Sequence, residues 1–379
     1  MKYDTEVIHG HHSNKEANRA VVPPVYLSTT YAQPGLGEYQ PYMYIRGGNP
    51  TRAALEALVA GLEGAQYAFA FSSGMAAITA VFNLLSAGDR VLLNNNVYGG
   101  TFRYVSHIFK HHSLAYQLVD TFNDLDFESL SPDVKAIFIE TPSNPLLQVT
   151  DIRKAAEQAH KQGIKVIVDN TFMTSYFQKP LGLGADIVVY SATKYYAGHS
   201  DILAGLVVVN DEALAEQFHF FQKTLGNVLS PQDSYMLQRS IKTLALRMER
   251  HEKNAQAVHA YLTAHPGVAT IFYPTVHDEE RRIQEAQSTG NGAVLSLILA
   301  EDRDPARFIA ALRLFDLAVS LGSVESLVCH PATMTHESFP LELQKKVGIA
   351  ENLIRLSIGI EDSGDLIADL EQALAAAKI

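Results

Sequence analysis

The residues best suited to chemistry follow a predicted buried strand at residues 186–190. Two hydroxyl side chains, Ser191 and Thr193, and one lysine, Lys194, come directly after it. In a parallel sheet covered on both faces, ligands gather where the strands end. A lysine amine there can link covalently to a carbonyl cofactor, and the two hydroxyls can hold a cofactor phosphate. For any lysine taken alone, a place on the surface is the better explanation.

A second predicted strand, residues 165–168, is followed by Asp169, Asn170 and Thr171. Because a buried carboxylate needs a partner, a protonated pyridine nitrogen is a suitable one for Asp169. Keeping that nitrogen protonated turns the ring into an electron sink. We include Thr171 among the cofactor-binding residues. The alternative is that Asp169 caps the next helix.

A third segment, Ser72 to Met75, precedes a helical pattern that runs to about Leu85. The exposed N–H groups at a helix start bind anions, so Ser73, Gly74 and Met75 are expected to hold a phosphate. The alternative is an ordinary serine cap.

Two further residues stand out by type. Tyr98 follows a predicted strand at 90–93, where its ring could stack on a flat heterocycle. Arg355 lies within an apolar strand, where a substrate carboxylate would satisfy it in bidentate fashion. A structural Asp or Glu partner has about equal weight for Arg355.

The elements that must position these residues form an α/β pattern. Residues 1–55 are rich in proline and glycine and predict an extended arm, and 56–245 alternate short β-branched runs with helical stretches. One long helix is expected between Pro231 and His265. Residues 246–379 predict a smaller α+β lobe.

Composition narrows the class of protein. The net charge of −11 over 379 residues leaves no excess basic surface for nucleic acid. With Cys329 as the one cysteine, no internal disulfide can form, and no apolar run suggests a signal peptide or a membrane span. We expect a soluble cytoplasmic protein without a metal, since His107, His111 and His112 lie at helical spacing but do not form a His-Glu-x-x-His motif.

Other classes fit less well. No Gly-x-Gly-x-x-Gly follows a predicted strand, which disfavours a dinucleotide-dependent oxidoreductase. Ser191 to Lys194 matches the Ser-x-x-Lys of penicillin-interacting acyl enzymes, but Ser-Asp-Asn and Lys-Thr-Gly are absent. A non-catalytic binding protein built on this fold would be expected to have lost Lys194 or Asp169. Both residues are present.

Over essentially its whole length the chain resembles the Cys/Met-metabolism family of pyridoxal-5′-phosphate (PLP) enzymes. The resemblance rests on an ordered series of short motifs, namely 5–10, 44–52, 73–75, 98–101, Glu140-Thr-Pro-Ser-Asn-Pro145, 191–201, 320–327, 330–336 and 355–361. It implies the fold of type I PLP enzymes, with a large, mostly parallel sheet domain and a smaller C-terminal domain. One departure is Gly48, where many relatives have a Thr-Gly pair.

The resemblance also assigns roles to residues. It implies that Lys194 links to PLP, Asp169 pairs the ring nitrogen and Tyr98 stacks on the ring. The phosphate would be held by Gly74 and Met75 N–H groups, Ser191 and Thr193, with Tyr44 and Arg46 reaching in from a neighbouring subunit. Asn144 and Arg355 would hold the substrate carboxylate, and Ser326 would lie beside Lys194. These roles imply a homodimer with shared active sites that pairs into a tetramer.

The implied reaction cleaves a carbon–sulfur bond of an amino acid such as L-cystathionine. Loss of sulfur from Cβ gives pyruvate, loss from Cγ gives 2-oxobutyrate, and a γ-replacement would form the thioether instead. Glu325 resembles the pattern of family members that act at Cγ, and its carboxylate could hold the distal amine of cystathionine. We therefore expect α,γ-elimination with α,β-elimination as a side reaction.

Overall fold

The computed structural model describes residues 1–10 and 20–379. Its larger sheet is seven-stranded, in the order β1-β7-β6-β5-β4-β2-β3. The strands from β6 to β3 in this order run parallel, whereas β7 is antiparallel to both of its neighbours. The strands are β1 (Tyr67–Phe71), β2 (Arg90–Asn94), β3 (Ala115–Val119), β4 (Val134–Glu140), β5 (Lys165–Asp169), β6 (Ile187–Ser191) and β7 (Gly205–Val209). The predicted α/β class with a mostly parallel sheet is confirmed.

Successive side chains along a strand point to opposite faces of the sheet, and because both sets are apolar here, both faces of the large sheet are hydrophobic. Along β6, Val188 packs into one buried cluster and Val189 into another on the opposite side. Continuous Val, Ile and Leu runs are typical of parallel strands covered by helices. The helices are α1 (Tyr3–His9), α2 (Pro50–Glu63), α3 (Gly74–Phe82), α4 (Gly99–His107), α5 (Ile152–Lys161), α6 (Thr174–Phe177), α7 (Glu212–Leu225), α8 (Pro231–Ile241), α9 (Leu244–Thr263), α10 (Asp278–Gln287), α11 (Pro305–Ala311), α12 (Leu341–Val347) and α13 (Ser363–Ala376).

A second sheet has five strands in the order β10-β11-β12-β9-β8. Its strands are β8 (Val268–Phe272), β9 (Val294–Leu299), β10 (Asp316–Leu317), β11 (Leu327–Cys329) and β12 (Leu353–Ser357). One buried cluster contains residues from both sheets, so the core is continuous between them. The division at residues 55 and 245 stays a proposal. No helix within 1–10 and 20–379 is long and apolar enough to cross a membrane.

The N-terminal region contains more helix than the sequence predicts. Helix α1 lies within the predicted arm, and α2 begins at Pro50, where the side chain of Asn49 accepts hydrogen bonds from Thr51 and Arg52 N–H groups. An Asn cap followed by proline is a typical helix start, and apolar periodicity alone does not reveal it. Residues 20–49 have no helix, and Thr30 pairs with Tyr44 in an isolated bridge.

The prediction of one continuous helix between Pro231 and His265 is wrong, because this segment contains two helices. The chain forms α8 and α9, with a break at Lys242 and Thr243. At the break, the Ser240 carbonyl accepts from the Arg247 guanidinium and from the N–H and hydroxyl groups of Thr243. Apolar spacing alone does not reveal this tertiary contact.

Candidate active site

Neighbouring parallel strands of the large sheet end at one cavity. Asp169 and Glu140 are the last residues of β5 and β4, and Lys194 lies in the turn after β6. The cavity has a volume of about 330 Å³. Its lining residues are Ser73, Gly74, Met75, Ile78, Tyr98, Arg103, Glu140, Pro142, Asn144, Asp169, Thr171, Phe172, Ser191, Thr193, Lys194, Leu203, Val319, Ser320, Leu321, Met334, Thr335 and Arg355.

Lys194 presents a largely buried amine to this cavity. Its Nζ atom donates to Ser320 Oγ at 2.7 Å. Burial disfavours the ammonium form and, with the nearby charge of Arg355, lowers the pKa of Lys194 to about 8. About a tenth of this amine is therefore neutral, and nucleophilic, at pH 7, far more than for a lysine with the ordinary pKa.

This pKa leads to a prediction for the cofactor-free protein. Because the folded-state pKa lies below the ordinary value, the charged lysine destabilises the fold fully below pH 8, and the penalty disappears as pH rises past about 10.4. Lys194→Met should therefore raise the free energy of unfolding at pH 7 by about 1 to 3 kcal/mol, and by nearly nothing above about pH 11. Urea unfolding at several pH values measures this difference.

The matched control for that measurement is Lys165→Met, since Lys165 is exposed at the start of β5. It should change stability little at any pH. Two results would contradict the assigned burial of the charge. In one, Lys194→Met is less stable than the parent at pH 7; in the other, it changes the free energy of unfolding by the same amount at every pH.

Asp169 is a buried carboxyl facing the same cavity. Its Oδ1 atom accepts the N–H of Thr171 at 3.0 Å. It does not cap the next helix, because α6 begins later and follows Met173. Burial raises the pKa of Asp169. A cationic partner inside the cavity would reverse that effect, which fits a carboxylate that pairs with a protonated ring nitrogen.

Glu140 is a second buried carboxyl that sequence reasoning missed. It lies opposite Asp169 in the β4–β5 register, and accepts the N–H groups of Tyr98 and Asn144, each at 3.0 Å. Burial first, and then the neighbouring charge of Asp169, raise the pKa of Glu140 to about 8. Glu140 thus fixes the backbone of two segments that line the cavity.

The start of α3 forms one wall. Ser73 caps the helix by accepting the Ala76 N–H at 3.0 Å, and helix geometry leaves the N–H groups of Gly74 and Met75 without an acceptor from within the helix. A Cβ atom on Gly74 would lie 2.8 Å from Ser191 Cβ, so glycine permits this close approach. The serine is therefore a cap, and the segment also borders the cavity.

Hydroxyl groups of the β5 and β6 ends complete this wall. The hydroxyl of Thr171 accepts the Ser191 N–H at 2.8 Å. The hydroxyl of Thr193 bonds to the N–H and carbonyl of Ala204. Both threonines and Ser191 line the cavity together with α3.

Arg355 is buried on β12 and reaches the cavity from the second sheet. Its guanidinium donates to Asn144 Oδ1 at 2.8 Å and to the Ser320 carbonyl at 2.6 Å, whereas its buried Nε atom has no partner. Among the described residues, no carboxylate forms an ion pair with Arg355. The arrangement favours a ligand carboxylate over the structural Asp or Glu that the sequence left open.

Four of the predicted site residues lie outside the cavity. Tyr44 is half exposed, and Arg46 lies over its ring at 5.5 Å and donates to the Lys223 carbonyl. Their predicted place is a neighbouring subunit's site, so one chain does not test it. Glu325 is exposed, and Ser326 is buried and bound to the Glu361 carboxylate at 2.9 Å.

The serine beside Lys194 is Ser320, six residues before the predicted Ser326. Ser320 has a positive φ of 90°, an unusual conformation for a residue other than glycine. Arg103, on α4, also lines the cavity and escaped notice in the sequence. Its position five residues after Tyr98, in the middle of a short helix, was the available indication.

The geometry fits PLP. An aldehyde needs an amine such as Lys194, the ring nitrogen needs a carboxylate such as Asp169, and a phosphate needs the N–H groups at the start of α3. The α/β fold and this site define a PLP-dependent enzyme. Residues 4–375 match the family model described as Cys/Met metabolism PLP-dependent enzyme, and the chain belongs to that family.

Relatives in this family carry names of different activities. The cystathionine gamma-lyase of Bacillus subtilis (strain 168) is 47% identical over 376 residues, covering 99% of both chains. The cystathionine beta-lyase of Lactococcus lactis subsp. cremoris is 48% identical over 372 residues, covering 98% of both. A crystal structure of a cystathionine gamma synthase from Xanthomonas oryzae pv. oryzae, in complex with aminoacrylate and cysteine, has a TM-score of 0.96 at 38% identity and covers 100% of this chain and 98% of its own.

Proposed function

We propose that the protein is a carbon–sulfur lyase that cleaves L-cystathionine by α,γ-elimination. The overall reaction consumes water and yields L-cysteine, 2-oxobutyrate and ammonia. In this proposal Lys194 links to PLP and Asp169 pairs the ring nitrogen, while Tyr98 stacks on the ring. The phosphate contacts Ser73, Gly74, Met75, Ser191 and Thr193.

The observation that carries the proposal is a pair of guanidinium groups in one cavity. Arg355 lies beside Lys194 and Ser320, and Arg103 extends from α4 on the wall that also carries Tyr98. Cystathionine has two carboxylates, one at each end, and a guanidinium is the preferred partner of a carboxylate. Methionine has one carboxylate and would leave Arg103 unused.

The residues then divide the work of binding. Arg355 and Asn144 hold the carboxylate next to the reacting carbon, and Arg103 holds the distal carboxylate. Bound PLP supplies a carbonyl that links to amines and a protonated ring that accepts electron density from Cα. Ser320 keeps the amine of Lys194 close to the substrate's Cα.

Lys194 is proposed to move the protons. Its neutral amine would take the proton from Cα of the bound substrate. Release of sulfur from Cβ needs no further proton removal, whereas release from Cγ requires a second proton to leave Cβ first. The lowered pKa of Lys194 suits repeated gain and loss of a proton near neutral pH.

α,β-Elimination is the second candidate. A relative named cystathionine beta-lyase is as similar as the one named gamma-lyase. Because Glu325 lies outside the cavity, its carboxylate no longer supports action at Cγ within a single chain. Both eliminations use Lys194, Asp169 and Arg355 in the same way, so the keto acid product distinguishes them.

We also propose that a second copy of the chain completes each site. Tyr44 and Arg46 lie on the exposed N-terminal arm, together with exposed apolar residues such as Leu27 and Leu36. A tyrosine hydroxyl and a guanidinium from a neighbouring arm would add two phosphate contacts. This arrangement supports dimers with shared sites, and the pairing of dimers into tetramers is proposed from the family resemblance alone.

L-Cystathionine supplied alone tests the proposed reaction. We expect 2-oxobutyrate and L-cysteine in equal amounts, with less pyruvate, measured by chromatography of the derivatised keto acids. Pyruvate as the main product would replace the proposal by α,β-elimination. Formation of neither acid, with L-cysteine released and a new thioether formed only when another thiol is added, would indicate γ-replacement.

Arg103→Met is the matched test of the two-carboxylate argument. It should raise KM for L-cystathionine about tenfold or more and leave KM for L-methionine nearly unchanged, since a charged hydrogen bond contributes roughly 1.5 to 3 kcal/mol. Equal changes for both substrates would show that Arg103 does not bind the distal carboxylate.

A further inference from the structure

Helix α9 carries a buried polar stripe made of Arg247, His251 and Asn254. The spacing of four and three residues places all three on one face of the helix. Each is at least nine-tenths buried, with relative exposures of 4%, 0% and 1%. Polar residues so deeply buried need hydrogen-bond partners, and except for the Thr243 hydroxyl, which accepts from Arg247, these partners are main-chain carbonyls.

Arg247 binds the turn that carries Lys194. Its guanidinium donates to the Tyr195 carbonyl at 2.6 Å and to the Tyr196 carbonyl at 3.3 Å. A side chain on Gly198, whose φ is +69°, would collide with this guanidinium. The turn after Lys194 therefore has the shape that fits Arg247.

His251 and Asn254 bind the segment that follows Arg355. The Nδ1–H of His251 donates to the Ile358 carbonyl at 2.6 Å. The amide of Asn254 donates to the Gly359 carbonyl at 3.0 Å and the Glu361 carbonyl at 2.8 Å. One helix thus fixes the chain just after Lys194 and just after Arg355.

The stripe serves as a set of donors rather than as an ion-pair network. Among the described residues, no carboxylate pairs with Arg247, and the Nε2 atom of His251 has no partner. Burial lowers the pKa of His251 to about 4, so its ring is neutral and Nδ1 carries the proton. Since burying the charge of Arg247 without a carboxylate partner is costly, the stripe is best explained by what it holds in place.

The two segments also meet in the cavity. Ser320 accepts from Lys194 through its hydroxyl and from Arg355 through its carbonyl. Its loop is tied to both segments, because the Val324 N–H donates to the Gly198 carbonyl and the Ile360 N–H donates to the Val324 carbonyl. Small shifts of α9 would therefore change how far Lys194 lies from Arg355.

We propose that the stripe of Arg247, His251 and Asn254 sets the separation between the Lys194 amine and the Arg355 guanidinium. The stripe thereby selects ligands that carry an amine and a carboxylate on the same carbon. Its residues are positioning residues, since none of them lines the cavity. The inference rests on the roles proposed above for Lys194 and Arg355, and not on which carbon–sulfur bond is cleaved.

L-Alanine and ethylamine provide the test, because they differ only in the carboxylate. Either can displace Lys194 from the cofactor, and the change in cofactor absorption reports binding to the intact holoenzyme. His251→Leu should weaken binding of L-alanine about tenfold and leave ethylamine within about twofold, as expected for a misplaced charged hydrogen bond. His251→Asn, whose amide can replace the Nδ1–H donor, should restore L-alanine binding.

Asn254→Ala is a second, milder variant that can be used if His251→Leu does not fold. We expect it to weaken L-alanine binding about threefold to tenfold. Arg355→Lys is the control for the site itself and should weaken L-alanine alone. Stripe variants that change both ligands equally, or neither, overturn the proposal. An unaffected L-alanine affinity in Arg355→Lys would instead overturn the assigned carboxylate site. Because neither ligand contains a carbon–sulfur bond, both outcomes are independent of the proposed lyase reaction.

Discussion

Lys194→Ala should abolish cleavage of L-cystathionine, with a fall in kcat/KM of at least about 10⁴-fold. The variant loses both the amine that links to PLP and the base that moves protons between substrate carbons. No other lysine lines the cavity to replace it within the described residues. Keto acid formation measures the activity, and the purified protein should lack the visible absorption of a lysine-linked cofactor.

Lys165→Ala is a suitable control, since Lys165 is exposed at the opposite end of β5. It should retain colour and activity. If Lys194→Ala kept more than about one tenth of the parent kcat/KM, the proposed base would be refuted, because loss of a general base costs about 10²-fold or more.

Asp169→Asn should lower kcat by about 10²- to 10³-fold with a small change in KM. The side chain keeps its shape and its contact with the Thr171 N–H, but a neutral amide cannot stabilise a protonated ring nitrogen. The fall is expected in kcat because the contact stabilises the transition state, in which negative charge develops next to the ring, more than the bound substrate. Steady-state kinetics with L-cystathionine separates kcat from KM.

The same variant has a second consequence for Glu140. Removing the Asp169 charge removes one of the two causes that raise the pKa of Glu140.

Asp316→Asn, at an exposed site on β10, is the control for the kinetic prediction and should leave kcat and KM unchanged. A kcat for Asp169→Asn within about threefold of the parent would contradict the proposed pairing, given that preorganised electrostatic contacts contribute 10²-fold or more.

Much of the fold could be predicted from local patterns. The runs before Lys194 and Asp169 are short, β-branched and apolar on both faces, which is what parallel strands covered by helices require. Because such strands end at one edge of the sheet, Asp169 and Lys194 line the same cavity. The break between α8 and α9 was missed, since the polar contacts that mark it, from Thr243 and Arg247 to the Ser240 carbonyl, leave the apolar spacing unchanged.

The site was predictable where a residue's neighbours in sequence also surround it in space. Ser73, Gly74 and Met75 are of this kind, and so are Ser191, Thr193 and Lys194. The side chain that contacts the lysine amine was not predictable in the same way. Whether Ser320 or Ser326 does so depends on the path of a loop with a residue at positive φ.

Glu325 and Glu140 illustrate the same limit for charge. The sequence shows two glutamates with no difference in type, yet one is exposed and the other is buried at the end of β4. Burial is a tertiary property, and it gives Glu140 a raised pKa and a place in the cavity. For Tyr44 and Arg46 the missing information is a second chain.

Identification of the lysine that carries the cofactor tests the central claim most directly. The holoenzyme would be reduced with borohydride, digested, and its peptides sequenced by mass spectrometry. The pyridoxyl group is predicted on Lys194, within the peptide that follows β6. Finding it on another lysine, or on none, would contradict the site described for this protein.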